Sequence, residues 1–135
     1  MKEIIVDALV ENLNIVTEFI DGELEMIDCP MKAQIQIDVA IDELFGNIAK
    51  YAYIGKTGKA TVQFSYDEKN SIISITLIDE GIMYNPLEKE DPDVTLSAEE
   101  RKIGGLGIFL VKKTMDDMIY EYVDNKNKLT IKKKI

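Results

Sequence analysis

The apolar residues of this chain change their spacing along its length, and that change limits the fold more than any other feature. Between Leu13 and Tyr51 they recur at three- and four-residue steps: Leu13, Val16, Ile20, Leu24 and Ile27, then Ile37, Ile41, Leu44, Ile48 and Tyr51. Such spacing gathers them on one face of a helix. Asp28-Cys29-Pro30 separates the two stripes, because proline disfavours helical geometry in the residue before it. Gly55-Lys56-Thr57-Gly58 then reads as a loop. From Ala60 the period drops to two. Val62, Phe64 and Tyr66 alternate with Thr61, Gln63 and Ser65, which predicts a strand over Ala60–Tyr66. A turn at Asp67-Glu68-Lys69-Asn70 leads to a second strand over Ser71–Asp79, with Ile73, Ile75 and Leu77 on its inner face.

The ends of the chain add three more strands and a helix. Ile4 to Ala8 is rich in β-branched residues and reads as a strand. Leu106 to about Asp117 reads as a helix with Leu106, Phe109 and Leu110 inward. Met118–Val123 and Lys128–Ile135 read as closing strands, with Asn125-Lys126-Asn127 as the hairpin turn between them. Leu129, Ile131 and Ile135 alternate with Thr130, Lys132 and Lys134. From Pro86 to Lys102 no periodicity survives, although Ser97-Ala98-Glu99-Glu100 has the form of a helix start. A long irregular segment in a small domain is usually functional, and residues 86–103 are read as a lid. The order is strand, helix, helix, strand, strand, lid, helix, strand, strand. That predicts one α+β domain over residues 1–135, a two-layer sandwich of a mostly antiparallel sheet with helices on one face.

Composition removes several functions. The 16 basic and 25 acidic residues leave a net charge of -9, so most of the surface repels a phosphate backbone and general nucleic-acid binding is not expected. With no histidine, the chain cannot build a Ser-His-Asp or Cys-His catalytic group or a histidine-ligated zinc site. Its single cysteine, Cys29, permits no internal disulfide and suits a reducing compartment. Asp7 interrupts the first apolar run before a leader segment is complete, and no stretch approaches the ~20 apolar residues of a membrane span. The expectation is a soluble, cytoplasmic protein. Lys132-Lys133-Lys134 reads as a solubilising strand edge and Cys29 as a packing residue at a loop end.

Three clusters carry chemistry. Glu43 and Asn47 lie four apart on the second helix and stack on one face, within a polar edge formed by Gln36, Ala40, Glu43, Asn47 and Lys50. A carboxylate there can serve as a base and an amide oxygen can hold Mg²⁺; a solvated helix edge has the same pattern. Asp79 continues the parity of Ile73, Ile75 and Leu77, so it points toward the core at the strand's end. A carboxylate in that place needs a donor. The exocyclic amine of adenine is one, and a backbone N–H or a buried water is another. Gly81 would let a flat base approach the backbone. Gly104-Gly105-Leu106-Gly107 opens a helix, where free N–H groups and the positive end of the helix dipole favour an anion. The same glycines would serve as a lid hinge. The run matches neither a P-loop nor a dinucleotide fingerprint. Taken in order, the three clusters outline a base pocket, a metal position and a phosphate cradle.

This pattern resembles the Bergerat-fold (GHKL) ATPases. Asp42-Glu43-Leu44-Phe45-Gly46-Asn47-Ile48-Ala49-Lys50-Tyr51-Ala52-Tyr53 looks like the family's N box. Asp79-Glu80-Gly81-Ile82-Met83-Tyr84-Asn85-Pro86 looks like its first glycine box, and Gly104-Gly105-Leu106-Gly107-Ile108-Phe109-Leu110-Val111 like its second. The Asp-x-Gly-x-x-Tyr-Asn-Pro form, the small size and Glu11-Asn12-Leu13 at the first helix are similar to the branch of bacterial anti-sigma factor serine kinases. The resemblance implies that Glu43 is the general base and that Asn47 holds Mg²⁺ against the phosphates. It implies that Asp79 accepts from the adenine amine, that Gly81 passes beside the ring and that Asn85 sits where the lid meets the nucleotide. Gly104, Gly105, Leu106 and Gly107 would offer N–H groups to the phosphates. Tyr51 stands where the family commonly has a histidine, and Lys50 beside it would meet a phosphate instead. The family's arginine before the second glycine pair is absent, Ile103 standing behind Lys102, and a threonine usual near the end has no clear counterpart, Lys128 or Leu129 taking its place.

Two functions follow from the resemblance. One is an ATP- and Mg²⁺-dependent kinase that phosphorylates a STAS-domain anti-anti-sigma protein on serine and sequesters a sigma factor. The other is a non-catalytic ATP-binding switch whose lid regulates a protein partner. The ATPase half of a histidine kinase fits less well, since no phosphoacceptor histidine or dimerisation helix pair precedes the first box. In the resembled kinases the first strand pairs with its counterpart in a second subunit, so a homodimer is an expectation.

Overall fold

A computed structural model of the chain, described for residues 1–88 and 106–135, forms a five-stranded sheet covered on one face by three helices. The strands are β1 (Lys2–Asp7), β2 (Lys59–Asp67), β3 (Ile72–Asp79), β4 (Asp117–Val123) and β5 (Lys126–Lys134). The helices are α1 (Leu13–Met26), α2 (Met31–Asn47) and α3 (Leu106–Thr114). Across the sheet the order is β1-β2-β3-β5-β4, and every neighbouring pair is antiparallel. The α+β class and the order of elements are those expected from the sequence.

The alternation of β2 and β3 sets the core. Ala60, Val62 and Phe64 on β2 and Ile73, Ile75 and Leu77 on β3 are buried beneath Val16, Ile20 and Leu24 of α1 and Ile37, Ile41 and Leu44 of α2. Each such side chain removed from water contributes ~1.5–3 kcal/mol, which outweighs the weak strand propensity of Ala60. Pro30 caps the start of α2 with extended backbone, as its fixed φ allows.

Four local expectations fail, each for a physical reason. Ala40 is fully buried rather than part of a polar edge, because α2 packs against both α1 and α3 and is covered on both flanks. Tyr51 is 61% exposed: after Asn47 the helix widens into a π turn over Ile48–Ala52, and the wider turn rotates Tyr51 off the apolar stripe. On α3, Ile108 and Val111 face inward, while Leu106 and Leu110 are 43% and 45% exposed and Phe109 is half-buried. Leu106, Ile108, Phe109, Leu110 and Val111 make every side of this short helix apolar, so only the contact with α2 selects the face. Finally, the β4–β5 hairpin turns at Asp124-Asn125, whose φ values of 55° and 61° match a two-residue type I′ turn. That starts β5 at Lys126 and places Asn127 inside the strand. The segment read as a lid starts with a 3₁₀ turn at Pro86–Glu88; its residues 89–103, with Ser97–Glu100 among them, lie outside the described residues.

Candidate functional site

At the end of β3 the inward parity of Ile73, Ile75 and Leu77 delivers a carboxylate. Asp79 is only 6% exposed, and its register partner on β5 is Asn127, also buried. Asp79 Oδ1 accepts hydrogen bonds from the Gly81 N–H at 2.9 Å and from Asn127 Nδ2 at 2.9 Å. Burial pushes the Asp79 carboxyl above its ordinary range, while the Asn127 and Gly81 bonds pull it back by favouring the charged form. Asn127 in turn donates to the Ile82 carbonyl at 2.9 Å and accepts from the Tyr84 N–H at 3.0 Å and the Tyr120 hydroxyl at 2.5 Å.

This polar knot closes one end of a cavity of about 270 Å³. The end of α2 and the π turn form one wall through Leu44, Asn47, Ile48 and Ala52, and Leu77 and Leu129 of the sheet form the floor. Ile82, Met83 and Tyr84 form the rim. The volume lies near the lower end of the ~300–1,000 Å³ of small-molecule pockets, so it suits a heterocyclic base with the rest of a ligand outside. Apolar walls with polar groups at one end bind flat rings and orient them.

The helix side brings a second group together. Asn47 Nδ2 donates to Glu43 Oε1 at 3.3 Å, which turns Asn47 Oδ1 away from the carboxylate and leaves it for another donor or a hard cation. A Cβ built at Gly107 would collide with the Glu43 carboxyl group, so the first turn of α3 rests on Glu43 because residue 107 is glycine. A carboxylate against a helix N-terminus is favoured by the helix dipole. Among the described residues no cluster of three or more carboxylate or cysteine side chains could hold a metal by itself. Mg²⁺ commonly takes one or two protein oxygens and completes its shell with phosphate and water, and Asn47 fits that part.

Asp79 and Asn47 thus line one cavity, and Glu43 stands beside Asn47 with Gly107 against it. Gly81 abuts protein: a Cβ there would strike the carbonyl oxygen and Cβ of Ala52, and the Ile82 N–H donates to that same carbonyl at 3.0 Å. Lys50 is exposed on the π turn and does not line the cavity. Asn85 Oδ1 accepts from the Leu87 N–H at 2.9 Å and so caps the 3₁₀ turn. Leu106 is largely exposed at the start of α3, and Gly104 and Gly105 lie outside the described residues. Asn127, Tyr120 and Tyr53 were not anticipated. The Tyr53 hydroxyl donates to the Lys59 carbonyl at 2.6 Å and accepts from the Glu80 N–H at 2.7 Å, strapping the π turn to the ends of β2 and β3. Asn127 shares the parity of Leu129 and Ile131, so extending that alternation by two residues would have placed it on the inner face, but not opposite Asp79, which the strand register sets.

Comparison with known proteins agrees with this geometry. The family described as Histidine kinase-like ATPase domain matches residues 6–133. Serine-protein kinase RsbW of Listeria monocytogenes is 30% identical over 92 residues, which cover 64% of this chain and 57% of the relative. Its counterpart in Listeria innocua is 29% identical over the same length and coverage. Serine/threonine-protein kinase BtrW of Bordetella bronchiseptica is 23% identical over 100 residues, covering 74% of this chain and 70% of that protein. The match thus spans little more than half the length of the RsbW relatives. No helix among the described residues is long and apolar enough to cross a membrane.

Proposed function

Since the chain belongs to the histidine kinase-like ATPase domain family, we propose that it is an ATP-dependent serine kinase of the anti-sigma factor type. Its phosphoacceptor is a serine of a STAS-domain anti-anti-sigma protein, and its second partner is a sigma factor that it sequesters. The buried Asp79–Asn127 pair at the closed end of an apolar cavity carries the reading, since a slot ending in a carboxylate suits a purine with an exocyclic amine. The names of the relatives support serine as the acceptor.

In this reading Asp79 accepts from the adenine amine, and Gly81 keeps its segment against Ala52 and so sets the width of the slot. Gly104, Gly105, Leu106 and Gly107 direct backbone N–H groups at the phosphates. Asn47 Oδ1 takes one place on Mg²⁺, which when bound neutralises charge on the phosphate oxygens. Glu43 orients the serine hydroxyl and takes its proton. The serine O–P bond forms as the bond from the γ-phosphorus to the β,γ-bridging oxygen breaks, and ADP leaves with that oxygen. β1 is an edge strand, and its free edge supports a homodimer through strand pairing.

One observation favours the non-catalytic switch: no lysine or arginine among the described residues lines the cavity, and Lys50 is exposed outside it. A single experiment separates the two. The protein is incubated with γ-labelled ATP, Mg²⁺ and a STAS-domain protein encoded near its gene. The kinase reading expects label on a partner serine, reduced ~100-fold or more in Glu43→Ala, with the ATP-induced rise in melting temperature retained. An ATP-induced rise with no transfer favours the switch, and no response to ATP at all overturns both.

A further inference from the structure

Four hydrogen bonds converge on the side chain of Asn127, and the function above gives it no task of its own. Its oxygen accepts from the Tyr84 N–H and the Tyr120 hydroxyl. Its two amide hydrogens go to Asp79 Oδ1 and the Ile82 carbonyl. A side-chain amide has two hydrogens and two lone pairs, so Asn127 is saturated and has nothing left for a ligand. It is also locked: turning the amide over would set its hydrogens against the Tyr84 N–H and its oxygen against two acceptors, Asp79 Oδ1 and the Ile82 carbonyl.

We propose that Asn127 is the specificity-determining positioning residue of the base pocket. By tying β3, the Ile82–Tyr84 rim and β4 to one locked amide, it leaves Asp79 Oδ2 as the group that meets the base. The inference rests on the ATP-binding reading and adds the device that fixes the pocket's polarity. Oδ1 is already held by Asn127 and the Gly81 N–H, and the Tyr120 hydroxyl is spent on Asn127. The closed end of the pocket therefore presents an acceptor. It admits a base with an exocyclic amine and opposes one with a carbonyl at the same place.

Replacing the amide by a carboxylate inverts this arrangement. In Asn127→Asp one new oxygen still accepts from Tyr84 and Tyr120. The other faces Asp79 Oδ1 and the Ile82 carbonyl, so acceptors meet with no donor between them. A proton must enter, and the pair then titrates as a unit. Among the described residues, the other charged or titratable groups around it include the phenols of Tyr51, Tyr53, Tyr84, Tyr120 and Tyr122, Glu80 next along the chain, Glu88 near Tyr120, and Lys126 beside Glu80. These are present in parent and variant alike, so a change in the pH profile reports the substituted residue.

The test is calorimetric binding of ATP and of ITP, its 6-oxo counterpart, to the full chain from pH 6 to pH 8. We expect the parent to prefer ATP. Asn127→Asp should bind ATP at least tenfold more weakly at pH 8, recover as the pH falls, and lose at least fivefold of the preference for ATP over ITP. Should Asn127→Asp lack a cooperative melting transition, Asn127→Ser replaces it; the short hydroxyl cannot make four bonds, and at least a threefold drop in the ATP:ITP preference is expected. A folded variant with the parent's pH profile and preference overturns the proposal, and so does an equal loss for both nucleotides with no pH change, which marks a merely structural role. A parent that binds neither nucleotide overturns the ATP reading itself, a result distinguishable from either.

Discussion

Replacing Asp38 with asparagine is expected to stabilise this protein above neutral pH, although it removes a charge from a helix. Asp21 on α1 and Asp38 on α2 bring their carboxyl groups within hydrogen-bonding reach across the helix pair. Each has an Oδ1 that is buried with no donor among the described residues. Two carboxylates cannot hydrogen-bond to each other unless one keeps a proton. Burial, then the hydrogen bond to Asp21, then the charges of Asp21 and Asp42 push Asp38 up from 3.8 to about 7. The folded pKa lies above the unfolded one, so between those values the folded state holds a proton that the unfolded state has released. Stability is then present at acid pH and is lost as pH rises from about 4 to about 7. At 1.36 kcal/mol per unit the shift corresponds to roughly 4 kcal/mol. Asp38 is partly open to water, and screening brings the expected effect down to about 1–2 kcal/mol. The amide of the substituted side chain would supply the missing donor to Asp21 at every pH. The assay is urea unfolding at pH 5, 6, 7 and 8. Asp38→Asn should gain on the parent as pH rises from 5 and exceed it by about 1–2 kcal/mol at pH 8. Residues 11–43 carry nine carboxylates against Lys32 alone, so general charge relief needs a control. Glu25→Gln, exposed on α1, removes the same charge and should change stability by no more than ~0.5 kcal/mol. An Asp38→Asn variant no more stable at pH 8 than Glu25→Gln would refute the shared proton.

The same pair reaches Cys29, whose thiol is raised by burial and then by the charge of Asp38. Asp38→Asn should therefore speed alkylation of Cys29 at pH 8, and an unchanged rate would show that burial alone governs it. Asp79→Asn removes the charged acceptor from the base pocket; losing a hydrogen bond to a charged group, worth ~1.5–3 kcal/mol, should weaken ATP binding by roughly 10- to 150-fold in calorimetry. Gly81→Ala forces a methyl group onto the Ala52 carbonyl, which is backbone and cannot swing aside. Overpacking of that kind costs ~1–3 kcal/mol, so a lower denaturation midpoint is expected, and an unchanged midpoint would mean the rim and the π turn separate freely.

Most of the scaffold was legible because β2, β3 and α1 each show one apolar period toward one facing layer. Ile73, Ile75, Leu77 and Asp79 share a parity, so burial of the carboxylate followed from burial of the leucine two residues before it. The failures fall where a second neighbour or a change of helix type intervenes. Ala40 is buried on a helix that packs against α3 as well as α1, a second neighbour that no local pattern in α2 encodes. Tyr51 leaves its stripe because the π turn spends one more residue than an α turn, and nothing in Ile48–Ala52 marks that widening.

Asn127 shows most clearly what a one-dimensional pattern cannot carry. Asn-Lys-Asn is turn chemistry by composition, and a three-residue turn there would leave the residue in solvent. The deciding fact is the pairing of residues at 79 and 127, which exists only once β5 lies against β3 in one register. In that register a buried carboxylate faces the side chain at 127, and a carboxylate so placed needs a donor. Asparagine meets the need while it also accepts from the rim and from β4. The polarity of the pocket is therefore a property of strand register rather than of any one motif. A one-residue slip of β5 would turn Asn127 to the open face of the sheet and bring the charged side chain of Lys126 or Lys128 to Asp79, closing the base site with an ion pair.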